Sequence, residues 1–256
     1  MMLGDQLINF LDNFLCFGKI PILMYHRVSD EGALAVSLKN FDKQMSILQK
    51  RGYRALSLDD LKAYLDGKAI GRDKLFMVTF DDGYEDNFNN AKPILDAYNY
   101  RAVIFVATQY IGKVSKFFSS DEDRNHAMLN AEQLQSLEKS GWDIANHFHS
   151  HRPLALLAKE EIEEEIKKSQ SILDGIIANK NNIHRYSLPR ESTSEAVKRV
   201  LLENGADMIF SSKGIFRGRT YFSAIPRTEI FNYSDENKFL SRLSPIYFSM
   251  LKIKER

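Results

Sequence analysis

Strand-like and helix-like segments alternate along this chain, which predicts an α/β fold of parallel strands covered by helices. Two further observations narrow it. The chain has 256 residues, 44% of them hydrophobic, enough for one substantial core, and barrel folds often occupy this length as a single domain. Apolar runs such as Leu75 to Phe80 read as buried strands rather than exposed ones.

The elements follow in order. In Met1 to Gly18, residues Leu7, Ile8, Leu11, Phe14 and Leu15 fall at helical spacing. They predict an amphipathic packing helix, too short and too polar to span a bilayer. Ile22 to Tyr25 reads as the first strand, with His26 at its C-terminal end, and Phe41, Met45 and Leu48 mark the stripe of a following helix. After the strand Leu75 to Phe80 come a helix over Asp86 to Tyr98 and another strand over Ala102 to Ala107. The polar stretch Gly112 to Asn130 reads as a loop with His126 exposed in it. Later helices carry capping signals, Asn130 with Gln133 and Ser192 with Glu195. The acidic run Glu160 to Glu165 reads as a solvated helix face with no catalytic role. From Phe239 to Arg256, apolar residues mix with Lys252, Lys254 and Arg256; such a tail can rest on a membrane surface or cover a barrel face, and the second is preferred.

The densest chemical signal is Thr79-Phe80-Asp81-Asp82-Gly83-Tyr84. Adjacent side chains on a strand face opposite ways, but a glycine just past the strand permits a sharp turn that aims both carboxylates into one cavity. His147 and His151 lie four residues apart, so on a helical turn both rings share a face and can grip one cation. Two nitrogens and one oxygen from Asp82 leave a coordination position open for water, as a catalytic metal requires. Each motif alone is weak, since Asp-Asp-Gly is common in turns and histidines are common at polar surfaces. In this combination they point to a metal-dependent hydrolase.

These residues, with Pro21 to Val28, Ala102 to Val106 and Gly141-Trp142-Asp143-Ile144-Ala145-Asn146-His147, resemble the polysaccharide deacetylases of carbohydrate esterase family four. A weaker likeness continues through Tyr186 to Arg190 and Ala224 to Arg227. The resemblance implies a distorted (β/α) barrel of seven or eight parallel strands, TIM-barrel-like, over residues 19–232, between the amphipathic segment 1–18 and a tail over 233–256. It makes Asp81 the general base and Asp82, His147 and His151 the metal ligands. The usual C-terminal acid histidine is missing, because no histidine follows His184. In the permuted branch that resembles exported poly-N-acetylglucosamine deacetylases an N-terminal Tyr-His takes that place, which implies His26 as the acid. Arg190 stands where the family has an aromatic residue; its backbone N–H would help hold the oxyanion, or its side chain would meet an anionic sugar. Tyr84 is a further candidate for substrate contact. Arg227 either orients Asp81 or forms a surface ion pair. His149 is expected beside the ligands rather than among them.

The implied cofactor is one divalent ion, zinc first, with cobalt, nickel or manganese compatible. The implied substrate is an acetylated amino-sugar glycan or a lipid-linked precursor. Hydrolysis of another C–N bond and a catalytically inactive glycan-binding subunit are the rival readings. A net charge of +1 gives no basic field for nucleic acid, and the single Cys16 excludes an intrachain disulfide framework. The acidic start of the chain does not read as a signal peptide. That predicts a cytoplasmic enzyme acting before glycan export, with peripheral contact at the inner membrane as an option.

Overall fold

The computed structural model describes residues 20–68, 74–116, 125–191, 194–212, 224–233 and 235–243. The strands are β1 (Ile22–Tyr25), β2 (Arg27–Val28), β3 (Ala35–Val36), β4 (Tyr53–Ala55), β5 (Lys74–Phe80) and β6 (Ala102–Val106). They continue with β7 (Asp143–Asn146), β8 (Arg185–Ser187), β9 (Met208–Ser211), β10 (Ile225–Pro226) and β11 (Thr228–Glu229). Their order around the sheet is β10-β9-β8-β7-β6-β5-β1-β11, with β4 joined to β5, and every pairing is parallel. Only Arg227 separates β10 from β11, so one extended segment pairs with β9 through its first half and with β1 through its second. This closes the ring. The expected distorted (β/α) barrel is the fold observed, and β2 with β3 forms a small separate ladder.

Side chains that alternate along the strands divide into two layers. Met77, Val103, Phe105, Ala145 and Phe210 pack together across the ring. Val78, Phe80, Ile104 and Ile144 instead join the helix residues Phe41, Met45, Leu48, Leu134 and Leu137. The covering helices are α1 (Leu38–Lys50), α2 (Leu58–Leu65), α3 (Lys92–Ala97), α4 (Ala131–Lys139), α5 (Lys159–Asp174), α6 (Glu195–Glu203) and α7 (Glu236–Leu243). Helix α7 buries Phe239, Leu240 and Leu243 in the outer layer, so this part of the C-terminal tail covers the barrel. The N-terminal amphipathic segment and the end of the tail lie outside the described residues. No helix among the described residues is long and apolar enough to cross a membrane.

Local signals explain most boundaries. Asn130 and Gln133 exchange side-chain and backbone hydrogen bonds at 2.8 and 2.9 Å, the capping box expected at the start of α4. The helix over Asp86 to Tyr98 instead has a π-helical turn, Asn87–Ala91, leading into α3. Helix α6 is capped by Ser194, whose Oγ accepts from Val197 N–H at 3.3 Å; Ser192, the expected cap, lies outside the described residues. His126 is half-buried rather than exposed, with its Nε2 2.9 Å from Arg27 Nη1.

Candidate metal and catalytic centre

The C-terminal ends of the strands carry the candidate residues. Asp81 and Asp82 follow β5, His147 follows β7, Ser187 ends β8, His26 follows β1, and Arg227 sits at the junction of β10 and β11. In a parallel barrel this end is where side chains from separate strands meet.

The turn after β5 is sharper than glycine alone provides. Asp82 itself is left-handed at φ 73°, followed by Gly83 at φ 91°, and Gly83 N–H donates to the Asp81 carbonyl at 2.9 Å. A non-glycine residue in this region costs roughly 1–3 kcal/mol and persists only where its surroundings over-determine it. Here the reversal separates the two carboxylates. Asp82 turns toward the histidines, and Asp81 toward Arg227.

Asp82, His147 and His151 each offer a donor atom within 4.8 Å of the other two, and all three are buried. The imidazole Nε2 atoms of His147 and His151 stand 3.3 and 3.1 Å from Asp82 Oδ1. Neither Asp82 oxygen has a well-formed hydrogen bond among the described residues, although both are fully buried. His147 Nδ1 lies 2.8 Å from the Ser187 carbonyl. That oxygen can only accept, so Nδ1 holds the proton and Nε2 turns a lone pair inward. Two imidazoles converging on a buried carboxylate whose oxygens lack a well-formed hydrogen bond fit a divalent cation.

The two histidines do not share a helical turn. They lie on an irregular loop in which Phe148 and His151 are left-handed at φ 64° and 60°. The loop is held from several sides: Asn146 Oδ1 accepts Phe148 N–H at 2.8 Å, and the Phe148 carbonyl accepts Thr108 N–H at 3.0 Å. The main clamp is Glu165 on α5. Its carboxylate accepts the backbone N–H of His149 at 3.0 Å and of Ser150 at 2.8 Å, and also the Ser150 hydroxyl. Glu165 is therefore not part of a solvated face; it is only 4% exposed. It lies three residues after Ile162, on the stripe that continues through Ile166, Ser169 and Leu173. That spacing was a readable signal, obscured by the four other acids around it. His149 stands aside from the Asp82, His147 and His151 cluster, its Nδ1 3.0 Å from Thr108 Oγ1.

Arg227 is buried, not a surface ion-pair residue. Its Nη1 and Nη2 donate to Asp81 Oδ1 and Oδ2, each at 2.7 Å. Nη2 also donates to Ser187 Oγ at 2.7 Å, and Nη1 to Thr79 Oγ1 at 3.1 Å. Burial pushes the Asp81 carboxyl up, but the charge of the buried Arg227 guanidinium and its hydrogen bonds to both oxygens outweigh it and leave Asp81 below its ordinary value. For Asp82, burial is likewise outweighed by His151 and by contacts from both imidazoles, and it lies well below its ordinary value. His26 is half-buried.

Two candidates stand apart. Tyr84 has 0% exposure, its ring packed under the Arg27 guanidinium and against His126. Arg190 is exposed and left-handed at φ 48°, and its charge contributes to lowering the His151 pKa, after burial as the main cause.

The polysaccharide deacetylase family model matches residues 68–209. Among curated proteins, YxkH of Bacillus subtilis, whose own description as a polysaccharide deacetylase is provisional, is 30% identical over 189 residues, 73% of this chain and 63% of that protein. The poly-β-1,6-N-acetyl-D-glucosamine N-deacetylase of Staphylococcus aureus strain MSSA476 is 26% identical over 179 residues, 70% of this chain and 54% of that enzyme. The chain thus spans roughly half to two-thirds of the length of these relatives. Among solved structures, the Streptococcus pyogenes deacetylase PplD in complex with acetate superposes with a TM-score of 0.76 at 23% identity, over 90% of this chain and 100% of that one. IcaB from Ammonifex degensii gives 0.76 at 20% identity, over 89% and 96%. The structural likenesses establish the barrel, and the sequence match, which includes Asp81, Asp82, His147 and His151, places this chain in the polysaccharide deacetylase family.

Proposed function

We propose that this chain removes N-acetyl groups from a poly-N-acetylglucosamine-type glycan, with one divalent cation held by Asp82, His147 and His151. The observation that carries the reading is the convergence of one carboxylate and two imidazoles within 4.8 Å, beside a second carboxylate gripped on both oxygens by Arg227. Two nitrogens and an oxygen suit zinc first, with cobalt, nickel or manganese compatible. The glycan class follows the named activity of the Staphylococcus aureus relative.

The cation, when bound, would polarise the acetyl carbonyl and make a water molecule more acidic. Asp81 is the base that takes the proton from the attacking water. It is ionised at neutral pH because Arg227 outweighs the penalty of its burial, and the bidentate guanidinium fixes its orientation. His26 donates a proton to the amine nitrogen as the C–N bond breaks, a task suited to imidazole near neutral pH. Water oxygen ends on the acyl carbon as acetate, and the sugar leaves as an amine. The backbone N–H of Arg190, at the rim, is the proposed donor to the developing oxyanion.

Titration of chelator-treated protein with Co²⁺, followed by visible absorption, tests the assignment. One equivalent should bind to wild type and to Asp81→Asn, His147→Ala should lose it, and Asp81→Asn should release no acetate. Wild type that binds no cation, or Asp81→Asn with wild-type acetate release, would remove the reading.

A further inference from the structure

His26 also lines a cavity of about 320 Å³ that the chemistry above does not use. One wall is the strap between β2 and β3, including Leu34, and the other is the end of β11, Glu229, with the chain that follows it, including Phe231. Phe231 is 46% exposed, the one aromatic among the exposed large hydrophobic side chains of the described residues.

Its exposure is held in place. Ile230 N–H donates to the Met24 carbonyl at 3.0 Å, extending the barrel pairing to the residue before it. Gln44 Nε2 donates to the Phe231 carbonyl at 3.3 Å, while Gln44 Oε1 accepts the Tyr25 hydroxyl at 2.9 Å. Asn232 Oδ1 accepts Ser37 N–H at 3.1 Å and Asn40 Nδ2 at 2.6 Å. Tyr233 meets the Phe231 ring edge-on, with centroids 6.0 Å apart at 84°. The turn is thus pinned to β1 and α1, and an apolar ring is presented to solvent at a fixed position. Ordering costs are already met before any ligand arrives.

A pyranose ring matches these walls. Its C–H face is apolar and packs on an aromatic ring, while its hydroxyls donate to a carboxylate such as Glu229. The volume lies at the low end for small-ligand pockets, about one or two sugar rings. We propose that this cavity is a subsite for the sugar adjacent to the one being deacetylated, with Phe231 as its stacking platform, so that oligomers are preferred over a monosaccharide. The proposal rests on the deacetylase reading for its occupant, since His26, the acid of that reading, borders the cavity.

Two measurements test it independently of turnover and with it. The first is the affinity of a β-1,6-linked N-acetylglucosamine trisaccharide for zinc-loaded Asp81→Asn protein, with Phe231 intact, as Phe231→Ala and as Phe231→Trp. Phe231→Ala should weaken binding about tenfold, and Phe231→Trp should retain it. The second is the ratio of kcat/KM for trisaccharide to that for N-acetylglucosamine, which Phe231→Ala should lower about tenfold, mainly through KM. Absence of trisaccharide binding, or equal affinity with and without the Phe231 ring, overturns the subsite. Ring-dependent binding with no acetate release from any glycan supports the subsite and overturns the deacetylase reading alone.

Discussion

Asp81 and Arg227 form a pair whose value depends on both members. Removing the guanidinium leaves a buried carboxylate without compensation, so Arg227→Ala should cost about 3–5 kcal/mol in chemical denaturation. The pH dependence has a defined sign. Asp81 has a folded pKa below its unfolded one, so its stabilisation is complete above the ordinary carboxylate range and is lost as pH falls through the depressed folded value. The difference in Tm between wild type and Asp81→Asn should therefore be largest near neutrality and shrink on acidification. A difference that grows in acid would contradict the sign. Glu165 acts on the loop that carries His147 and His151 by holding the N–H groups of His149 and Ser150 and the Ser150 hydroxyl. Glu165→Ala should weaken Co²⁺ affinity roughly 10–100-fold, the usual range for groups that orient ligands, while the far-ultraviolet circular dichroism is retained. The sequence singled out Asp82, His147 and His151, which the fold brings together, but not this clamp, because a glutamate in an acidic run looks solvated until its register with Ile162 and Ile166 is weighed.

Strand and turn chemistry was legible where local signals act alone and less so where tertiary contacts decide. Ile22–Tyr25 and most of Lys74–Phe80 announce themselves as apolar runs, and the Asn130 capping box needs only two residues. The loop from Asn146 to His151 is different. Its histidine spacing suggests a helical turn, but Glu165, Asn146 and the β6-to-α4 connection hold its backbone in a shape with two left-handed residues. The turn after β5 likewise needed more than its glycine. Gly83 has φ +91°, and an added Cβ would lie 3.4 Å from Val106 Cγ1. Gly83→Ala should lower stability by roughly 1–3 kcal/mol, measured by denaturant midpoint at unchanged m-value, and should loosen the presentation of Asp82.

At the scale of the molecule, the barrel closes beside the buried Asp81–Arg227 pair. Arg227 interrupts the segment that joins β9 to β1, so the closing strand also delivers the guanidinium to Asp81 from across the ring. The alternation of strands and helices foretold a parallel sheet, but no local pattern could reveal that Ile225 to Glu229 pairs on both sides. That pairing joins parts of the chain about two hundred residues apart and is settled by closure. A cation gripped by residues from β5 and the β7 loop should stabilise the whole fold by mass action, about 2.7 kcal/mol at a hundredfold excess over Kd. For a chain of this size that is roughly a 5–10 °C rise in Tm on zinc addition to chelator-treated protein. His151→Ala should abolish the rise. Metal and glycan meet in one assay: acetate released from β-1,6-linked N-acetylglucosamine oligomers by chelator-treated protein as zinc or cobalt is restored. Release that is negligible without the cation, saturates near one equivalent and disappears in Asp81→Asn is the expected result; acetate released equally with and without metal, or none at any metal occupancy, would contradict a metal-dependent deacetylase.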